Sequence, residues 1–179
     1  MNPSTILTHS GIYFNLLEPD PDMIEIEDIA HALSNLCRFT GHTNRFYSVA
    51  EHSVRAALHV EPEYALEALL HDATEAYLGD VSTPLKALLH QYRLIEFWLD
   101  GCIRQRFGLP AKHSPQVKQA DLAMLAAERN CLMPVGTERW PVLDGIAPAS
   151  PIQKPLPPEE ACSLFLAHFH ALQKAQVNA

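Results

Sequence analysis

Seven of the fourteen prolines stand between positions 134 and 158. A locked φ and a missing N–H exclude such a stretch from helix interiors and central strands, so it reads as a loop, either ordered over a folded body or mobile. Upstream the opposite holds. Between Ile24 and Leu132 prolines occur only at Pro62, Pro84, Pro110 and Pro115, and the segments between them carry helical periodicity. Ile24, Ile26, Ile29, Ala30, Leu33 and Leu36 recur mainly at three- and four-residue steps until Arg38-Phe39-Thr40-Gly41 interrupts them, which gives a first helix and a glycine stop.

Residues 47–59 and 62–78 predict two further helices, the second opened by Pro62 and closed by Gly79. A loop over 79–84 precedes a fourth helix that starts near Leu85 or near Tyr92 and reaches Phe107. Residues 115–132 predict a fifth helix, and 159–174 a closing amphipathic one. The opening residues carry Gly11, the run Ile12-Tyr13-Phe14 and the turn residues Glu18-Pro19-Asp20-Pro21-Asp22, which suit a small β-hairpin. With no internal repeat, the expectation is one all-α domain, a mainly helical bundle spanning 1–179. Its core covers about 24–132, and the hairpin stands in front.

Thirteen basic against twenty-one acidic residues give a net charge of −8. That leaves no general field to hold a nucleic-acid backbone, so polymeric DNA or RNA is not an expected partner. No apolar stretch approaches the roughly 20 residues that cross a bilayer, and residues 1–9 lack the charged start and apolar run of a signal peptide. A soluble cytoplasmic protein without a membrane partner is expected. Cys37, Cys102, Cys131 and Cys162 are widely spaced, form no CxxC pair, and read as reduced core residues.

The ten histidines carry more information, because imidazole is both a common metal ligand and a group that titrates near neutral pH. His71-Asp72 lies within the helical run 64–75. At about 100° per residue, His71 and Glu75 sit one turn apart with Asp72 beside them, so all three can address one cleft. The alternative is the solvated side of an amphipathic helix. Asp121 weighs against it. Val117 lies four residues before it, and Met124 and Leu125 three and four after it, so the carboxylate shares an apolar stripe and needs a cation or strong hydrogen bonds nearby. His52 lies at the edge between the polar and apolar sides of its helix. His52, His71, Asp72 and Asp121 together supply two imidazoles and two carboxylates from three helices, a donor set suited to a six-coordinate divalent ion with two positions left for water and substrate. The rival carboxylates Asp100 and Asp144 stand beside glycines without such a stripe.

The pattern H…HD…D, with HDxxE on the second of these helices, resembles the HD-domain superfamily of metal-dependent phosphohydrolases. Four ordered strings narrow the likeness: Leu36-Cys37-Arg38-Phe39-Thr40-Gly41-His42, Tyr47-Ser48-Val49-Ala50-Glu51-His52, His71-Asp72-Ala73-Thr74-Glu75-Ala76-Tyr77 and Thr83-Pro84-Leu85-Lys86. They resemble the YfbR/YfdR type of 5′-deoxynucleotidase and the related small phage triphosphohydrolases that act on deoxynucleoside triphosphates.

The resemblance implies that His52, His71, Asp72 and Asp121 hold a divalent ion (manganese, cobalt, iron, nickel, zinc or magnesium). It implies that Glu75 handles protons on the attacking water or leaving group, and that Asp80 orients water. Arg38 and Lys86 would then hold phosphate as a local positive spot. Phe39 matches an aromatic residue against the deoxyribose, or is a core ring. His42 has a role at the substrate or behind it, or caps locally. The implied substrate is a small deoxynucleotide: loss of the 5′-phosphate from a monophosphate is favoured by the modest basic content, with release of triphosphate from a triphosphate as the alternative. A non-catalytic metal- or nucleotide-binding helical module is the reading from another class. Homo-oligomerisation is implied by resemblance. His9, His31, His59, His90, His113, His168 and His170 fall outside the matched strings and read as surface or packed residues, and Phe97 and Trp98 as packing or an oligomer contact.

Overall fold

Strands β1 (Thr5–Leu7) and β2 (Tyr13–Asn15) pair antiparallel with Ile6 opposite Phe14. Gly11, at φ +87°, supplies the backbone conformation that the connecting turn needs. Phe14 is fully buried and packs 4.5 Å from the Tyr77 ring, so the hairpin is fastened to the helical body by its one inward-facing aromatic residue. These features come from a computed structural model that describes residues 3–177. Met1 and Asn2, part of the N-terminal stretch read above, lie outside the described residues.

The rest is mainly helical, as the periodicity predicts: α1 (Ile26–Asn35), α2 (Val49–Ala57), α3 (Ala65–Leu70), α4 (Glu75–Leu78), α5 (Thr83–Lys86), α6 (His90–Phe107), α7 (Pro115–Leu132) and α8 (Pro158–Val177). Helix α2 is central, packed against α1, α3, α7 and α8. Ser48 starts it, its hydroxyl accepting from the Glu51 N–H at 3.1 Å. Eight of its residues are buried, His52 among them, so His52 sits in the interior and not at a polar–apolar edge.

Several boundaries differ from the sequence-based expectation. Helix α1 ends at Asn35, ahead of the expected stop at Gly41. The residues in between make a bridge from Cys37 to Ser48 and then a 3-10 turn over Phe39–Gly41, in which Phe39 and Thr40 take φ of +56° and +54°. Such values are strained for side-chain-bearing residues. The segment expected as one helix over 62–78 is a 3-10 turn (Pro62–Tyr64), then α3, then α4. Between them the N–H groups of Ala73, Glu75, Ala76 and Tyr77 donate three residues back, to Leu70, Asp72, Ala73 and Thr74. The expected fourth helix is likewise two pieces, α5 and α6, so each proposed start marks a different helix. Helix α7 coincides with its predicted span, and α8 extends the predicted 159–174 at both ends.

The proline-rich stretch is ordered. Its Ala149 N–H donates to the Ala123 carbonyl at 2.9 Å, and the Leu156 N–H donates to the buried Glu51 carboxylate at 2.7 Å. Ala149 and Ile152 bury against Tyr47, Met124 and Leu132. All four cysteines are free thiols: Cys102 and Cys162, half-buried, pack against the core, Cys37 is half-buried, and Cys131 is exposed and not a core residue. No described helix is long and apolar enough to cross a membrane.

Candidate metal centre

Helix α3 delivers His71 just past its C-terminal end, and its bearing is set one turn earlier by Glu67. That buried carboxylate accepts from Arg104 of α6 at 3.3 Å and from the Ser114 N–H, at the start of α7, at 2.9 Å. The two helices that face each other across the site are thereby tied together. The tightened turn then divides the motif. With three residues per turn, side chains at i and i+3 eclipse, so His71 pairs with Thr74 and Asp72 with Glu75. Asp72 and Glu75 line a cleft of about 810 Å³, whereas His71 and Thr74 open, with Asp72, onto its neighbour. This differs from the α-helical expectation, in which His71 and Glu75 share a face. Gly79, at φ +81°, stops α4 and turns the chain so that Asp80 lines the same cleft as Glu75.

The four expected donors converge. His52 Nε2 lies 3.2 Å from His71 Nε2, 3.6 Å from Asp72 Oδ2 and 3.4 Å from Asp121 Oδ1. His71 Nε2 lies 3.3 Å from Asp72 Oδ2 and 3.9 Å from Asp121 Oδ1. Both imidazoles are oriented from behind. His52 Nδ1–H donates to Glu128 Oε1 at 2.5 Å, and His71 Nδ1–H donates to the Ala68 carbonyl at 2.7 Å. Each partner only accepts, so each neutral ring presents an Nε2 lone pair. Two lone pairs facing across 3.2 Å between two carboxylates require a positive charge.

The electrostatics agree with that requirement. Burial lowers the His71 pKa, but the Asp72 and Asp121 charges and hydrogen bonds outweigh it and hold the imidazole at about 9. His52 is also raised: burial and Arg38 oppose the shift, and Glu128 and Asp121 drive it. Asp121 and Asp72 are held below the ordinary carboxylate range despite burial, Asp121 by hydrogen bonds to both imidazoles, and Asp72 by the nearby charges of His71, His52 and Arg38. In the protein alone, a proton at His71, whose Nε2 is within hydrogen-bond distance of His52 Nε2, carries part of the charge a cation would bring. His52, His71 and Asp72 form a group that can hold a metal ion, and Asp121 reaches the same two nitrogens. Nitrogen and oxygen donors without sulfur fit a first-row divalent ion.

Around the centre, Arg38 is less free than expected. Its guanidinium donates to Asp72 Oδ2 and to Glu128 Oε2, each at 3.2 Å. Lys86 donates to Glu96 Oε1 at 2.6 Å and lies 3.5 Å from Glu75 Oε1. The cleft lining sets four carboxylates, Asp72, Glu75, Asp80 and Asp121, beside four cations, Arg38, Lys86, Lys118 and Arg139, with the buried Glu128 behind Arg38, so the basic groups are embedded among acidic ones. Glu75 is buried, with Oε2 lacking a partner among the described residues. Burial, then the charges of Asp72 and Asp80, push its carboxyl well above the usual range. Asp80 is also raised, chiefly by burial. Phe39 lines the cleft; His42 is exposed and is not among its lining residues.

Sequence reasoning missed Glu128. It is fully buried, orients His52 and Arg38 together, and is held at about 2, the Arg38 and His52 charges overcoming burial. The signal was present: it follows Asp121 by seven residues on the same apolar stripe of α7. Glu96 and Trp140 were missed too, and both depend on contacts between distant parts of the chain.

Fold and site together define a mainly helical protein in which a buried His-His-Asp group can hold a metal ion. No protein-family model matches the chain. It is 47% identical, over 173 residues covering 96% of this chain and 97% of the relative, to the uncharacterized protein YfdR of Escherichia coli K12, and it belongs to the YfdR family. It is also 43% identical over 121 residues, 62% of each chain, to an uncharacterized protein of Rhodobacter capsulatus.

Proposed function

We propose that this chain is a metal-dependent phosphohydrolase of the HD type that removes the 5′-phosphate from deoxynucleoside monophosphates. The observation that carries the reading is the pair of Nε2 atoms facing each other at 3.2 Å. Each is oriented by a hydrogen bond at its Nδ1, and both stand against the oxygens of Asp72 and Asp121. His52, His71, Asp72 and Asp121 would hold the ion. When bound, a divalent ion supplies Lewis acidity to a phosphoryl oxygen and to the attacking water.

The remaining work falls to the chain's own side chains. Arg38 lines the cleft with its fork held by Glu128 and Asp72, and would offer its remaining N–H groups to phosphate oxygens. Lys86 adds a point charge from the α5 side. Glu75, whose carboxyl burial and the Asp72 and Asp80 charges push well above the usual range, would deliver a proton to the departing ester oxygen, and Asp80 at the cleft wall would orient water. The half-buried Phe39 ring disfavours a ribose by leaving its 2′-hydroxyl unpaired.

A second reading, release of triphosphate from deoxynucleoside triphosphates, is favoured by one observation. Lys118 and Arg139, paired with Asp121 and Asp144, line the same cleft as Arg38 and Lys86, which brings its basic residues to four. Incubating the manganese-loaded protein with deoxynucleoside mono- and triphosphates, and assaying phosphate and triphosphate separately, tests both. Phosphate from the monophosphates is expected. Triphosphate alone would select the second reading, and neither product, with several divalent ions tried, would overturn the proposal.

A further inference from the structure

We propose that Trp140, with Phe39 facing it, is the element that holds the nucleobase; the inference rests on the nucleotide-hydrolase reading and deepens it. Trp140 belongs to the proline-rich stretch, far in sequence from the metal centre, yet it lines the same cleft as Asp72, Glu75 and Arg38. Its indole stands 6.2 Å from the Phe39 ring at an interplanar angle of 47°. A planar base stacked on both rings needs about 3.5 Å of contact on each face, so an opening of roughly an ångström and a turn toward parallel would admit one.

The indole is braced before any ligand arrives. The Arg129 guanidinium lies 5.0 Å over it and also donates to the Glu138 carbonyl at 2.7 Å. Arg139, just before Trp140, grips Asp144, just beyond the 3-10 turn Pro141–Leu143, with two bonds of 2.9 and 2.7 Å. Phe39 is held by the strained backbone of its own turn. Two rings presented by fixed backbones make a bracket.

The neighbouring wall of the cleft is apolar: Leu122, Leu125, Pro141 and Val142. The cations recorded against the rings are engaged elsewhere, Arg38 at 5.6 Å from the Phe39 ring with Asp72 and Glu128 and Arg129 over Trp140 with the Glu138 carbonyl, as are the cleft cations Lys118 with Asp121 and Arg139 with Asp144. Recognition therefore comes from stacking, which every base can offer, and it grows with the area of the π-face. Truncating the indole should weaken purine nucleotides most.

Only two tryptophans are present, and Trp98 is half-exposed on α6, so Trp98→Phe leaves Trp140 as the sole indole reporter. In the full-length, manganese-loaded chain, deoxyadenosine monophosphate should quench that emission, and 2-deoxyribose 5-phosphate, which has no base, should not. Trp140→Ala should raise the KM for deoxyadenosine monophosphate about tenfold or more and leave kcat within a few-fold. The KM for the base-free ester should be unaltered, and Trp140→Phe should restore most of the loss. Quenching without turnover would support the bracket while overturning the hydrolase reading. Turnover with no quenching, and an unaltered KM in Trp140→Ala, would overturn the bracket alone. Neither quenching nor turnover overturns both.

Discussion

His71 sets the pH at which the centre assembles. An ion needs its Nε2 free, and the neighbouring carboxylates hold the ring protonated up to about 9 against the opposing effect of burial. Each ion bound below that pH therefore displaces a proton from His71, and apparent affinity should rise by at least about tenfold per pH unit on the way up to 9. Metal titrations at a series of pH values would read this; a flat profile would contradict it. The sign reverses for the ion-free protein. A raised histidine pKa stabilises fully below its unfolded value of about 6.5 and loses that contribution as pH climbs through the folded value. Chelated protein should therefore unfold at progressively lower temperature across that same window.

Two substitutions separate binding from chemistry at this scale. Glu75→Gln should keep the ion and lower turnover by about 10²–10⁴-fold, read by paired metal analysis and initial rates. Glu128→Gln should weaken metal affinity about 10–100-fold, because one carboxylate oxygen becomes an amide donor and the remaining oxygen cannot accept from both Arg38 and the His52 Nδ1–H. Asp121 was legible in the sequence because a carboxylate on an apolar stripe demands a partner. Glu128 offered the same signal. What no local pattern announces is that its partners, Arg38 and His52, lie 90 and 76 residues away.

Among the elements, α2 bears most of the burden, since it carries His52 through the centre of the fold. Its start depends on the Ser48 hydroxyl, and Ser48→Ala should cost about 1 kcal/mol in denaturant unfolding. The expected span 47–59 starts two residues ahead of α2 and ends two beyond it. The division of 62–78 was not readable, because every residue there suits a helix. The choice between bonds three and four residues back follows from the tertiary contacts that pull His71 and Asp72 toward α2 and α7. The same holds for the turn over Phe39–Gly41, where two side-chain-bearing residues accept positive φ that no propensity predicts.

For the molecule as a whole, the all-helical body, the leading hairpin and the proline-rich segment were legible, because apolar periodicity and proline placement act locally. How that segment is laid down was not, since its anchors, the hydrogen bonds to Glu51 and Ala123 and the burial of Ala149 and Ile152, are contacts with distant parts of the chain. Three of the folded body's elements meet at one charge-starved point, so a divalent ion should stabilise the whole fold. At a hundred times its Kd, the gain is about 2.7 kcal/mol, or roughly 5–10 °C in Tm for a chain of this size, and calorimetry with and without chelator would measure it.

The most direct measurement is the metal content of protein purified without chelator and offered manganese, cobalt, iron, nickel or zinc. The expected result is one divalent ion per chain in the native sequence and none in folded Asp72→Ala or His71→Ala. A native chain that takes up no ion, or variants that retain it at full stoichiometry, would contradict the convergence of His52, His71, Asp72 and Asp121 on a single cation.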